Sequence, residues 1–120
     1  MSKYVDVYLL PIKESKIPSY QKMAKAAGKL FIKHGALRYR EYVASDLNVE
    51  EVMPFDKVIK LKPGETIVYA AVEFKSEAAR NKAMKAIMAD PEMESIAPKG
   101  EPPFDYKKMV YGGFKILVDL

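Results

Sequence analysis

Cysteine is absent from the 120 residues, which excludes disulfides, thiolate metal sites and a cysteine nucleophile. A single histidine, His34, stands in the chain, and one imidazole without thiols cannot build a zinc-type centre. No metal and no cofactor are therefore expected. Long apolar runs are also missing. No stretch approaches the roughly 18 to 20 apolar residues of a membrane span, and Met1–Asp6 lacks the apolar core of a signal peptide. The expectation is a soluble cytoplasmic protein with no membrane contact. Nor does one charge sign dominate: 20 basic against 16 acidic residues leave +4, weak support for a polyanion partner. Lysine and glutamate alternate locally, as in Lys13-Glu14 and Glu73-Phe74-Lys75, the pattern of a solvated surface.

What is present fits one domain spanning 1–120, long enough for one core. Tyr4 to Leu10 alternates, with Tyr4, Asp6 and Tyr8 on one side and Val5, Val7 and Leu9 on the other, a strand that Pro11 should end. Pro18 then opens a helix. Tyr20, Met23, Ala24, Ala27, Leu30, Phe31 and His34 recur at steps of three and four, and Gly35 is placed to close it. Ala36 to Val43 reads as a second strand, charged on both faces and so at a sheet edge. Ser45 to Gly64 is a long connection with a short helix expected near Val49 to Met53. Thr66 to Phe74 is the strongest interior strand. Ser76 should cap a helix from Ala78 to Ala89 whose stripe is Ala79, Ala83, Ala86 and Ile87. Asp90-Pro91 stops it, Glu92 to Ala97 reads as one further turn, and Pro98 to Pro103 as a loop. The last twelve residues, Met109 to Leu120, read as a paired strand, because an apolar terminus would otherwise present a sticky edge. Within it Gly112-Gly113 suggests a bulge or the close approach of backbone or ligand.

Strand, helix, strand, strand, helix, strand suits an α+β ferredoxin-like antiparallel sheet with both helices on one face. The other face would hold apolar and aromatic side chains that a monomer should not leave wet. A second copy packed sheet against sheet covers it, so a homodimer is expected.

Tyr4-Val5-Asp6, Gly35-Ala36-Leu37-Arg38, Glu41, Ala44-Ser45-Asp46, Asp90-Pro91, Pro103-Phe104-Asp105, Lys108-Met109 and Tyr111-Gly112-Gly113-Phe114 together resemble the YbaA-like family of small bacterial proteins of unknown function. The resemblance runs from Tyr4 to Phe114. It implies the dimeric α/β-barrel superfamily, whose members include cofactor-free monooxygenases, other enzymes and ligand-binding regulators, so it selects a fold and no reaction.

Three residues are catalytic candidates. His34 could serve as a general base or a haem ligand at a pocket rim, or simply interact with the dipole and free carbonyls of a helix C-terminus. Asp6, a carboxylate in a central strand, needs a partner if buried, and Arg38 is the expected one. Asp6 or Glu41 could act as base while Arg38 or Lys108 anchors an anionic substrate. The competing reading of these charges is an ion-pair network that locks a dimer. Asp105, Tyr111, Gly112, Gly113 and Phe114 could wall a ligand cleft. RNA recognition shares the strand order, with Val7-Tyr8-Leu9 and Ile67 to Phe74 at its two strand motifs. The second motif keeps Tyr69 and Phe74 but lacks the basic residue and the glycine, so nucleic acid is not the favoured partner. The expectation is a homodimeric protein binding a small organic ligand between sheet and helices, with a cofactor-free, monooxygenase-like enzyme as the alternative.

Overall fold

A computed structural model describes residues 3–96 and 100–120. Its elements are β1 (Tyr4–Lys13), α1 (Ile17–Lys33), β2 (Arg38–Val43), α2 (Phe55–Val58), β3 (Glu65–Phe74), α3 (Glu77–Ala89), α4 (Glu92–Ile96) and β4 (Val110–Lys115). Short 3-10 turns occupy Glu14–Lys16 and Tyr106–Lys108. The four strands form one sheet in the order β2-β3-β1-β4, antiparallel throughout. This is the ferredoxin-like arrangement expected from the order of elements.

The pairing Tyr4↔Phe74, Asp6↔Val72, Tyr8↔Ala70 and Leu10↔Val68 puts these side chains on one face, because directly paired residues share a side. Two apolar clusters fill the space above it. Leu10, Ile12 and Val68 pack with Tyr20, Ala24 and Phe104. Val72 and Phe74 pack with Phe31, Ala36, Ala83 and Ile87. The face of β1 that carries Tyr4, Asp6 and Tyr8 is thus the one under the helices. The all-aliphatic set Val5, Val7 and Leu9 lies on the open side and is only half-buried.

Local chemistry explains most boundaries. Ser76 accepts at Oγ from the Ala79 N–H, 3.1 Å away, and starts α3. Gly35, with φ 114°, ends the turn after α1 in a conformation that a side chain would strain. Pro11 does not end β1. The strand continues to Lys13 paired to β3, while β4 pairs with β1 only from Tyr4 to Leu9. Past Leu9 the other edge of β1 is free, and a missing N–H costs no ladder bond there. The helix expected at Val49–Met53 lies further on, at Phe55–Val58, and Glu51 adopts a positive φ of 67°. Ile59 is the buried residue of that connection. The turn at Glu92 runs to Ile96; Ala97, Pro98 and Lys99 lie outside the described residues.

The C-terminal strand is half the expected length. Pairing stops at Lys115, with one further bond from Ile116 N–H to the Lys3 carbonyl at 3.4 Å. Leu117, Val118 and Leu120 are exposed beyond it. The cause is geometric: β1, the neighbour of β4 in the sheet, begins at Tyr4 opposite Lys115, so among the described residues only Lys3 lies beyond that pair to meet the rest of the tail. The expected bulge at Gly112-Gly113 is absent, and both glycines continue a regular ladder opposite Val7 and Asp6.

Candidate functional site

Between the helix-covered face and the helices lies a chamber of about 340 Å³. Tyr8 and Leu10 of β1, Ala70 of β3 and Tyr39 of β2 form its floor. Met23, Ala27 and Phe31 of α1, with Met84, Met93, Phe104, Tyr106 and Met109, complete the walls. No described wall residue carries a charge. Methionines fill irregular space with mobile, polarisable thioethers and pack well against aromatic rings, so these walls suit an apolar body and can adjust to its outline.

At one side the chamber meets an outer groove of about 490 Å³ at the β2 edge, and Tyr20, Ala24 and Tyr39 line both. Glu41 stands in that groove. Its two carboxylate oxygens accept separately from the Tyr20 and Tyr39 hydroxyls. Burial, with the Glu41 charge adding to it, pushes both phenols above their ordinary pKa, so they remain donors at neutral pH. The Tyr39 ring lies against the α1 backbone at Gly28, where an added Cβ would come within 2.7 Å of Cδ1. That glycine lets helix and strand close on the aromatic ring.

Asp6 belongs to a second cluster. It is fully buried, and its partner is Arg80 of α3, not Arg38. Arg80 Nη1 donates to Asp6 Oδ1 at 3.3 Å and to the Tyr111 hydroxyl at 2.8 Å, and Nη2 donates to the Tyr4 hydroxyl at 3.1 Å. The guanidinium also lies 4.7 Å from the centre of the Tyr4 ring. Asp6 Oδ2 and Arg80 Nε are buried with no hydrogen-bond partner among the described residues. Burial raises the Asp6 pKa above its ordinary value, outweighing the opposite pull of Arg80 and of the Tyr111 hydroxyl. Arg38 fails as partner for a reason of register. It pairs with Glu73, on the face of the sheet opposite Asp6, and is exposed.

His34 caps α1 and bonds through Nε2 to Asp90 Oδ2 at 2.7 Å. Lys33 Nζ donates to the same oxygen at 3.1 Å, and the Glu92 N–H donates to Oδ1 at 2.9 Å. Led by the His34 bond, these donors hold the Asp90 carboxyl well below the usual carboxylate range. The arrangement clasps the C-terminal ends of α1 and α3.

The three catalytic candidates therefore have separate partner sets. Glu41 alone adjoins the chamber. The expected ligand residues are dispersed as well. Tyr111 turns to Arg80, and Gly113 makes room for the Tyr4 hydroxyl, which an added Cβ would approach to 2.1 Å. Gly112 and Phe114 share the open face with Val7 and Val5. Asp105 caps its own turn by accepting from the Lys107 N–H at 3.0 Å, and Lys108 is exposed at its end. None of Arg38, Asp105, Lys108 or Tyr111 to Phe114 is among the chamber walls. An anionic substrate anchored by Arg38 or Lys108 finds no support in this placement. The tyrosines needed for an RNA-stacking face also separate: Tyr69 pairs with Leu9 on the open side, while Tyr8 lies under the helices. Among the described residues no group of three or more histidine and acidic side chains is placed to hold a metal.

Arg80, Asp90, Tyr20 and Tyr39 carry the polar chemistry that the sequence left unassigned. Arg80 had a signal. It precedes Ala83 by three and Ile87 by seven residues, on the same inward stripe of α3. Asp90 had none beyond its role as a helix stop.

The family described as a protein of unknown function, DUF1428, matches residues 3–106. The uncharacterized protein YbaA of Escherichia coli K12 is 37% identical over 118 residues, 98% of each chain. Among solved structures, a dimeric ferredoxin-like protein from an uncultured marine organism aligns over all of both chains with TM-score 0.62 and 8% identity. A mutant of SnoaB, a cofactor-independent oxygenase from Streptomyces nogalater, aligns over 100% of this chain and 98% of its own with TM-score 0.60 and 12% identity. At such identities the likeness is one of fold.

Proposed function

The chain belongs to the DUF1428 family of unknown function, and from that premise we propose that it is a cytoplasmic homodimer holding a small, uncharged organic molecule in the chamber between sheet and helices. The observation that carries this reading is the chamber itself. Its volume falls in the range of small-molecule sites, its described walls carry no charge, and hydroxyls of Tyr20 and Tyr39 stand at its side. The dimer is supported by the open sheet face, where Tyr42, Tyr69, Val110 and Phe114 are exposed, and by the dimeric ferredoxin-like protein of the same fold. No helix among the described residues is long and apolar enough to cross a membrane.

The test is titration with an uncharged fluorescent arylamine such as N-phenyl-1-naphthylamine, alongside native mass spectrometry of protein taken directly from cells. One probe per chain is expected. Replacing Ala70 on the chamber floor by Leu should lower the affinity at least tenfold while leaving the oligomer unchanged. Probe binding that is indifferent to Ala70→Leu would place the ligand elsewhere. A second reading, a cofactor-free enzyme, is favoured by one feature: Glu41 is a carboxylate beside the chamber whose two partners are neutral phenols and could hand it back as a base. Glu41→Gln should then abolish turnover of a substrate while leaving its binding within a few-fold.

A further inference from the structure

Two exposed apolar features sit at the same end of the sheet, on opposite edges of one chain. The first is the tail after β4, Ile116-Leu117-Val118-Asp119-Leu120, which leaves the sheet at the Lys3 carbonyl. The second is the outer corner of β2, where Leu37 is exposed, with Ile32 exposed at the end of α1. The Leu37 N–H donates to the Glu73 carbonyl at 2.7 Å, and Glu73 pairs with Val5, one residue from the Tyr4↔Lys115 pair. The corner and the root of the tail are thus level along the strands. They lie on opposite edges, three strand spacings or roughly 14 Å apart.

A homodimer burying the open face has two in-plane choices of two-fold axis. An axis across the strands lays β2 over its own copy, so that Arg38 and Arg40, which share that face, meet the same two arginines. Like charges brought together under an interface are costly. An axis along the strands lays β4 of one copy over β2 of the other, and the open face of β4 presents Val110, Gly112 and Phe114, with no charge. Rotation about the strand direction keeps each end of the sheet at its own end. The partner's tail then emerges at the corner that carries Leu37.

Resting on the homodimer reading, we infer that residues 116–120 are an exchanged arm: each tail crosses to the other copy and covers Leu37 and Ile32 there. The five residues span up to about 17 Å when extended, enough to reach past the β2 edge. Isoleucine, leucine and valine at four of the five positions supply the apolar surface that the corner lacks.

The absence of cysteine makes the test direct. The double variant Leu37→Cys/Leu117→Cys, oxidised in the full-length protein, should run mainly as a covalent dimer without reductant. Either single variant should stay largely uncoupled. An internal disulfide would leave the chain at monomer mass, so only a crossed arm gives the covalent dimer. Light scattering on the same samples separates the two readings. A monomer overturns both the dimer and the arm. A dimer in which the double variant stays uncoupled, or in which Leu37→Cys alone couples as readily, overturns the arm and leaves the dimer standing.

Discussion

Replacing Arg80 by Met removes the charge that, among the described residues, faces Asp6, while keeping the aliphatic bulk of the side chain. Asp6 is 0% exposed and its Oδ2 already lacks a hydrogen-bond partner among the described residues, so the variant leaves an uncompensated buried carboxylate. Breaking such a pair from one side costs about 3 to 5 kcal/mol. The low end applies here, because the Asp6 contact is one bond of 3.3 Å and the Arg80 side chain is 17% exposed and reachable by water. A loss of about 3 kcal/mol in a chain of this length corresponds to a fall in Tm of roughly 12 °C. The pH dependence has a defined sign. Burial already raises the Asp6 pKa, and without Arg80 it rises further, so the folded state binds a proton that the unfolded chain, with a carboxyl near 3.9, has released. The deficit of Arg80→Met should therefore shrink as pH falls from 8 towards 5. Adding Asp6→Asn should recover at least half of it at neutral pH. Urea unfolding at both pH values measures all three. A loss below about 1 kcal/mol, or a deficit that does not change with pH, refutes the buried-charge account.

The remaining predictions use the other contacts of the helix-covered face and the clasp. Gly113→Ala puts a methyl where the Tyr4 hydroxyl lies, and should cost about 1 to 3 kcal/mol; Tyr4→Phe, which removes the obstructing oxygen, should make the same alanine better tolerated, as a double-mutant cycle in urea reports. Asp90→Asn should lower stability at pH 7, and the difference should shrink as pH falls below the unfolded carboxyl value of about 3.9. The reason is that a carboxylate held below its unfolded pKa by His34, the Glu92 N–H and Lys33 stabilises the fold above that pKa and stops doing so as pH falls through the lower folded value. Equal urea midpoints at pH 7 would contradict it.

Hydrophobic period and punctuation made the architecture readable. Pro18, Gly35 and Ser76 sit where the helices begin and end, and the strand order follows from short, alternating runs. Face assignment was harder. In β1 the set with Asp6 and two tyrosines is the buried one, because Arg80 of α3 supplies a partner to both Asp6 and Tyr4 from far along the sequence, and period-two alternation carries no information about such partners. The same gap hid the site. Glu41 was visible as a charged residue in a strand, but its two phenols come from α1 and from β2 itself, and only packing places Tyr20 over the strand. The C-terminal tail was overread for a related reason: its composition favours a strand, while pairing depends on where β1 happens to begin.

The position of β1 in the sheet also governs when the fold can close. It is the first strand synthesised, yet both of its neighbours arrive later, β3 past mid-chain and β4 within the last residues. A growing chain can zip β2 to β3 and β3 to β1, but one flank of the central strand, from Tyr4 to Leu9, stays unpaired until β4 has been made. Contacts of such long sequence separation form slowly. A chain that lacks β4 therefore displays an apolar strand edge, which makes the docking of β4 the step that closes off edge-to-edge association.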